Sequence, residues 1–152
     1  MSINNSILKL LNMKDKNLNF TENFVEERNI KNKRSLVIKA FLDKKPNCCP
    51  KCGCIDNIKK NGTVILKPIK ILSISGLNSY LEITKQLHKC NNCKHKITPQ
   101  TDEVNYRCRI SNNTKHSITM YAKEIITYKF ISKLHNVSDK TVQRQVNKIY
   151  DK

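Results

Sequence analysis

Two periodicities divide the chain. From Val25 to Cys90 the apolar positions recur mostly at every second residue, and after Ser111 they recur every three to four residues. The first pattern predicts strands and the second helices. Residues 1–24 are rich in Asn and Lys with a weakly amphipathic start, which reads as a short helix or a loose arm. Val25–Leu42 reads as a hairpin. Ile30 ends its first strand, Lys31-Asn32-Lys33 makes the turn, and Arg34–Leu42 is rich in strand formers.

Pro46 then breaks the chain. Asn61-Gly62 is a turn signal, and Thr63–Ile74 is β-branched, with Pro68 confining it to an edge or a bend. Gly76 to Ser79 turns again. In Tyr80–His88, Leu81, Ile83, Lys85 and Leu87 fall on one side, and Glu82, Thr84, Gln86 and His88 on the other.

Beyond the polar stretch after Pro99, three helices are predicted. The first is Ser111–Glu124. Thr127 caps the second, Tyr128–His135, and Ser138 caps the third, Asp139–Ile149. Asp139 in the first turn of the third helix suits its dipole. Val142, Val146 and Ile149 form one buried stripe, with Val137 and Ile131 beneath them.

Composition sharpens this picture. The 152 residues are 38% hydrophobic and contain no Trp, which is lean for one large core. The expected fold is therefore α+β: a small β-rich zinc ribbon followed by a three-helix helix-turn-helix domain. The boundaries are an N-terminal arm and hairpin at 1–45, the ribbon at 46–100 and the helical domain at 110–150.

The formal net charge is +17, of which +3 falls in residues 1–43, +9 in 44–110 and +5 in 111–152. Such a field favours polyanions. No apolar run reaches the ~20 residues of a membrane span, and Met1–Leu11 lacks a signal-peptide core. A cytoplasmic protein with no membrane partner is expected. In a reducing compartment its seven Cys serve as metal ligands or free thiols rather than disulfides.

The candidate chemistry lies in Cys49-Pro-Lys-Cys52-Gly and Cys90-Asn-Asn-Cys93. Each C-x2-C turn puts two sulfurs on one side of a knuckle, and two facing knuckles make a site of four thiolates. One structural Zn2+ on Cys49, Cys52, Cys90 and Cys93 is the expected cofactor, and its binding energy would supplement the small core. A redox C-x-x-C and inert buried thiols are the alternatives. Gly53 occupies a position that often needs a positive φ, where the second knuckle has Lys94. Cys48, Cys54 and Cys108 are read as spectators, although Cys48 and Cys54 could take part in shifted pairings. His88 and His95 flank the second knuckle as substitute ligands or, more simply, as groups facing solvent or DNA.

The third helix carries Lys140, Gln143, Arg144, Asn147 and Lys148 opposite its apolar stripe. These side chains reach base edges or phosphates from a major groove. On amphipathicity alone they would be a solvated face. The short turn and the Val137-Ser138-x-x-Thr141-Val142 run favour DNA binding. Lys140, Gln143, Arg144 and Asn147 are the expected base readers. Ser138, Thr141 and Lys148, with Lys85, Lys89, Lys94 and Lys96, are the expected phosphate holders.

In order along the chain stand Cys49-Pro50-Lys51-Cys52-Gly53, Asn61-Gly62, Cys90-Asn91-Asn92-Cys93, Ile110-Ser111-Asn112-Asn113, Ile131-Ser132-Lys133 and Asn136-Val137-Ser138 with Thr141-Val142. This series resembles the N-terminal region of transposases of the ISL-three insertion-sequence family, over roughly Leu10 to Ile149. The resemblance implies binding to the terminal inverted repeats of a mobile element. It also implies a downstream strand-transfer domain with metal-binding carboxylates. No such domain lies in this sequence, so a truncated, non-enzymatic product is expected, with no catalytic residues. The resemblance further implies a bacterial, nucleoid-associated protein whose partners would be double-stranded DNA, and a second copy or a full-length transposase. His135 departs from the pattern, standing where an apolar residue is usual. The alternatives are a stand-alone zinc-ribbon and helix-turn-helix transcription regulator, and a zinc-ribbon protein that binds RNA.

Overall fold

The computed structural model describes residues 2–151. Within them, helix α1 (Ile3–Leu10) precedes seven strands and three further helices. The strands are β1 (Leu18–Asn19), β2 (Val25–Ile30), β3 (Lys33–Leu42), β4 (Ile58–Ile65), β5 (Ile69–Ile74), β6 (Leu77–Cys90) and β7 (Lys96–Ile97). The helices are α2 (Asn112–Ala122), α3 (Tyr128–His135) and α4 (Asp139–Tyr150).

All seven strands belong to one mixed sheet, and β6 is its centre. Along one edge of β6, β5 pairs with its first half and β4 with its second, both antiparallel. Along the other edge β3 runs parallel to it, from Ser35↔Asn78 to Leu42↔Lys85, and β7 pairs beyond. β2 and β1 complete the sheet on the far side of β3.

This sheet corrects the expected fold of a small zinc ribbon followed by a helix-turn-helix domain. The strands assigned to an N-terminal hairpin and those assigned to the ribbon are hydrogen-bonded to each other, and of the two readings of the N-terminus, short helix or loose arm, the helix forms and packs on the same sheet. The physical reason is the length and composition of β6. A 14-residue strand that is half-buried or buried at every position needs partners on both edges. The distant β3 supplies the second edge over Asn78–Lys85, and β7 supplies it at His88 and Lys89.

Local signals act as expected in several places. Lys31 and Asn32 both have positive φ, making the tight two-residue turn between Ile30 and Lys33. Ser75 and Gly76 make a second such turn between β5 and β6. Pro68 separates β4 from β5. Asn61-Gly62 differs: it is a bulge inside β4, where pairing moves from Lys60↔His88 to Thr63↔Gln86. Gly62 takes φ +77°, and the carbonyl it turns aside accepts a hydrogen bond from Gln86 Nε2 at 2.8 Å.

Three apolar clusters hold the molecule. The largest joins Leu8 of α1, Met13 and Leu18 to Ile38, Ala40, Leu42, Ile69, Ile71, Leu81 and Ile83 on one face of the sheet. A second gathers Ile118, Ile131, Val142 and Val146 between α2, α3 and α4. The third is small, with Cys49, Ile58 and Cys90 at the far end of β6.

The helices dock on the outer edge of β5. The Lys70 amide donates to the Arg109 carbonyl at 2.7 Å, and the Ser111 amide donates to the Lys70 carbonyl at 2.8 Å. This short parallel bridge satisfies part of an edge that would otherwise stand open. Ser111, Thr127 and Ser138 each accept a hydrogen bond at the start of α2, α3 and α4.

His135 is buried in a polar contact between helices. Its Nε2 lies 2.9 Å from Ser117 Oγ, its Nδ1 lies 3.1 Å from the Ile131 carbonyl, and Tyr121 packs edge-on against the ring. These partners explain how a histidine occupies a position where an apolar side chain is usual.

Candidate metal centre and nucleic-acid interface

The two C-x2-C knuckles have the same backbone. In the first, the Cys49 amide donates to the Cys54 carbonyl at 2.9 Å and the Gly53 amide to the Cys49 carbonyl at 2.8 Å. In the second, the Cys90 amide donates to the His95 carbonyl and the Lys94 amide to the Cys90 carbonyl, both at 2.9 Å. The residue after each second cysteine is left-handed, with φ +75° at Gly53 and +63° at Lys94. The first knuckle lies between β3 and β4, and the second joins β6 to β7. The Ile58↔Cys90 pairing and the hydrogen bond from the Asn91 amide to the Asn57 carbonyl at 2.7 Å bring the knuckles together.

Lys94 pays a conformational penalty there that glycine would avoid. Lys94→Gly is expected to stabilise the metal-loaded protein by about 0.5–1 kcal/mol, after allowing for the greater freedom of glycine in the unfolded chain. Urea denaturation checks this, and a fall in the midpoint would contradict it.

The four sulfurs of Cys49, Cys52, Cys90 and Cys93 all lie within 4.8 Å of one another. Cys49 and Cys93 are separated by 3.5 Å, and Cys52 and Cys90 by 3.6 Å. Metal–sulfur bonds of ~2.3 Å in a tetrahedron put sulfurs ~3.8 Å apart, so the donor set fits a single tetrahedral ion.

The electrostatics point the same way. The amide of Cys54 and the side-chain amide of Asn92 bring Cys52 down to about 6, and the amide of Cys52 lowers Cys49. The amide of His95 also favours a Cys93 thiolate, but burial and the three neighbouring sulfurs outweigh it and push that thiol up to about 12. Amide donors thus favour thiolates at Cys49 and Cys52, while the crowded sulfurs oppose a further thiolate at Cys93, a conflict that a bound cation would relieve.

Among the described residues no other Cys or His joins this cluster. Cys48 is exposed, and Cys54 contributes its carbonyl and packs on the third apolar cluster. His88, expected to face solvent or DNA, is 2% exposed inside the sheet. Among the expected phosphate-holding lysines, Lys94 and Lys96 are exposed and Lys89 is half-buried. Lys85 is 4% exposed with its Nζ 3.4 Å from Gln100 Oε1, so it faces the protein interior instead.

On α4, Lys140, Gln143, Arg144, Asn147 and Lys148 are all exposed, while Val142, Gln145 and Val146 are buried. Asn136 closes α3 in the left-handed conformation, with φ +51°. Lys33 of the β2–β3 turn donates to its side-chain oxygen at 2.8 Å, tying the sheet to the α3–α4 turn. Ser138 Oγ accepts from the Thr141 amide at 3.2 Å and lies 2.9 Å from Thr141 Oγ1. The Ser138 hydroxyl therefore caps α4 at its exposed start, and the Thr141 hydroxyl pairs with it.

Sequence reasoning missed Lys70. It is 5% exposed, its Nζ has no hydrogen-bond partner, and it lies 4.8 Å over the ring of Tyr80. Its place in a β-branched run gave no sign that a charge is buried there. Among the described residues no helix is long and apolar enough to cross a membrane. Comparison with protein-family models, curated proteins and solved structures finds no match to this chain, so its function rests on the geometry of the site.

Proposed function

We propose that this protein binds double-stranded DNA, with α4 lying in the major groove and one structural zinc ion on Cys49, Cys52, Cys90 and Cys93. The observation that carries this is the exposed face of α4. Lys140, Gln143, Arg144, Asn147 and Lys148 stand together on it, opposite a buried Val142–Val146 stripe, in a chain of net charge +17. Zinc suits four thiolates in a tetrahedral array because it needs no particular d-electron geometry, and four sulfurs leave no open position for catalysis. The purified protein is expected to be colourless with one equivalent of zinc. The red colour of a tetrathiolate iron site would assign iron instead.

The ordered series of motifs, which resembles that of ISL-three transposases, favours the terminal repeats of a mobile element as the target. Fluorescence anisotropy tests this on two duplexes at physiological salt, one carrying the DNA flanking the gene and one a scrambled copy. A preference of about 1,000-fold supports specific recognition. Equal, steeply salt-dependent binding would leave only phosphate contacts. Arg144→Ala is expected to cost about 1–3 kcal/mol on the preferred duplex and to relax its sequence preference. Unchanged binding would remove Arg144 from the reading face. Preference for the gene's own promoter would identify a regulator, and preference for structured RNA would overturn the DNA assignment.

A further inference from the structure

A cleft of about 560 Å³ lies where the β2–β3 turn, β5, β6 and the start of α4 meet. Arg28, Lys31, Lys67, Lys70 and Arg109 line it, together with Tyr80, Ser138 and Thr141. The carboxylates nearby are already committed. Glu82 and Glu26 accept from Arg28 at 2.8 and 2.9 Å, and Lys39 lies 2.8 Å from the same Glu26 oxygen. Asp139, in the first turn of α4, is exposed and does not line the cleft. Lys31, Lys67, Lys70 and Arg109 have no anionic partner among the described residues.

Lys70 is the unusual member. A buried ammonium without a hydrogen-bond acceptor is costly, and proteins rarely hold one without a counter-charge. Burial, with Lys33 and Lys31 nearby, brings its pKa down to about 8, so it still carries its charge at neutral pH. The ring of Tyr80, its cross-strand neighbour, offers one face to the ammonium. Nothing in the protein satisfies its N–H groups. The backbone of the same residue bridges to Arg109 and Ser111, so the ammonium is held at the joint between sheet and helices.

We propose that this cleft seats one phosphate group of the DNA backbone, with the Lys70 ammonium as its buried contact and Lys31, Lys67 and Arg109 as its rim. This rests on the DNA reading of α4 and deepens it. Ser138 and Thr141, at the cleft, begin the helix that presents Lys140, Gln143 and Arg144. A phosphate held here fixes where along the groove those side chains fall. The contact carries no sequence information and contributes to every duplex equally.

The test compares the zinc-loaded wild type with Lys70→Met and Arg144→Ala on the preferred and scrambled duplexes across a salt series. Lys70→Met is expected to weaken both duplexes about 10-fold and to make the salt slope shallower by about one. The same substitution is expected to raise the melting temperature, because it removes a buried charge. A purely structural lysine would lower the melting temperature and leave the salt slope alone. Should Lys70→Met fail to fold, Lys67→Gln with Arg109→Gln, both exposed side chains, must still flatten the salt slope.

If Arg144→Ala weakens binding while Lys70→Met leaves affinity and slope unchanged, the phosphate seat is overturned and the DNA reading stands. If the wild type binds no duplex, but inorganic phosphate raises its melting temperature and Lys70→Met abolishes that rise, the backbone assignment is overturned in favour of a free phosphate.

Discussion

Chelating the metal is expected to unfold the cysteine end of the sheet and to leave the opposite end folded. The two ends are held differently. Around the knuckles the buried apolar set is only Cys49, Ile58 and Cys90, with Cys54, Cys93 and Ile97 against them. A site of this kind contributes about 10–16 kcal/mol in zinc-dependent peptides, comparable to the whole stability of an ordinary domain. Without the cation, the sulfurs brought within 4.8 Å of one another favour separation as they ionise. The first half of β6 instead packs Leu81 and Ile83 against Leu42, Ile38 and α1, far from any ligand.

Hydrogen exchange before and after chelation separates these contributions. Amides of residues 49–65 and 86–97 should lose protection, and those of residues 38–42 and 81–83 should keep it. Cys90→Ser should give the same pattern. Full protection everywhere after metal removal would refute a structural metal. Loss everywhere would mean that the ion holds the entire sheet.

Glu103→Ala is expected to destabilise the protein by about 3 kcal/mol, near the upper end for one buried hydrogen-bonding group. Glu103 is buried, and its Oε1 accepts from the backbone amides of Lys14 and, at 2.8 Å, of Asp15. Beside it, the Thr101 hydroxyl donates to Asp15 Oδ2 at 2.7 Å, and the Asn17 amide donates to Asp15 Oδ1 at 3.0 Å. These bonds fasten the loop after α1 to the segment that leads into α2. Alanine would leave the buried Asp15 amide and the partly buried Lys14 amide without an acceptor. Urea denaturation measures the loss, and a change below 1 kcal/mol would mean that water replaces the carboxylate at little cost.

The same latch sets an acid sensitivity. Burial alone would raise the pKa of Asp15, but hydrogen bonds from Thr101, Asn17 and Asp102 outweigh it and hold the carboxyl below its ordinary value of 3.8. A depressed carboxylate stabilises the fold fully above its unfolded pKa, and the contribution is lost as pH falls through the folded value. Stability should therefore decline below about pH 4, and Asp15→Asn should flatten that decline.

What the sequence reveals is set by how local each determinant is. The starts of α2, α3 and α4 are written in Ser111, Thr127 and Ser138, because a cap acts within three residues. The four metal-site cysteines are legible because each knuckle is a short local unit. The parallel pairing of β3 with β6 is not local. No residue near Ser35 announces Asn78, and the alternation in each strand fits either an independent ribbon or a shared sheet.

The errors at Lys85, His88 and Asn61-Gly62 follow from that same uncertainty. Once β6 is central, both of its faces are covered, and polar side chains on it turn inward. Asn-Gly marks a left-handed step, which a bulge uses as readily as a hairpin. Lys70 is concealed for a further reason. A lysine between Ile69 and Ile71 reads as the solvent position of an edge strand until Ile110 and α4 close around it.

The parallel pairing also dictates an order of events on the ribosome. β3 leaves the exit tunnel before its neighbour β6 has been synthesised, and at about 5–20 residues per second that interval lasts several seconds. Throughout it, the β2–β3 hairpin presents Val37, Ile38 and Ala40 beside a bare strand edge. Slow codons over β6 and the residues that follow it would prolong that exposure, and a nascent-chain chaperone would have its greatest effect on yield there.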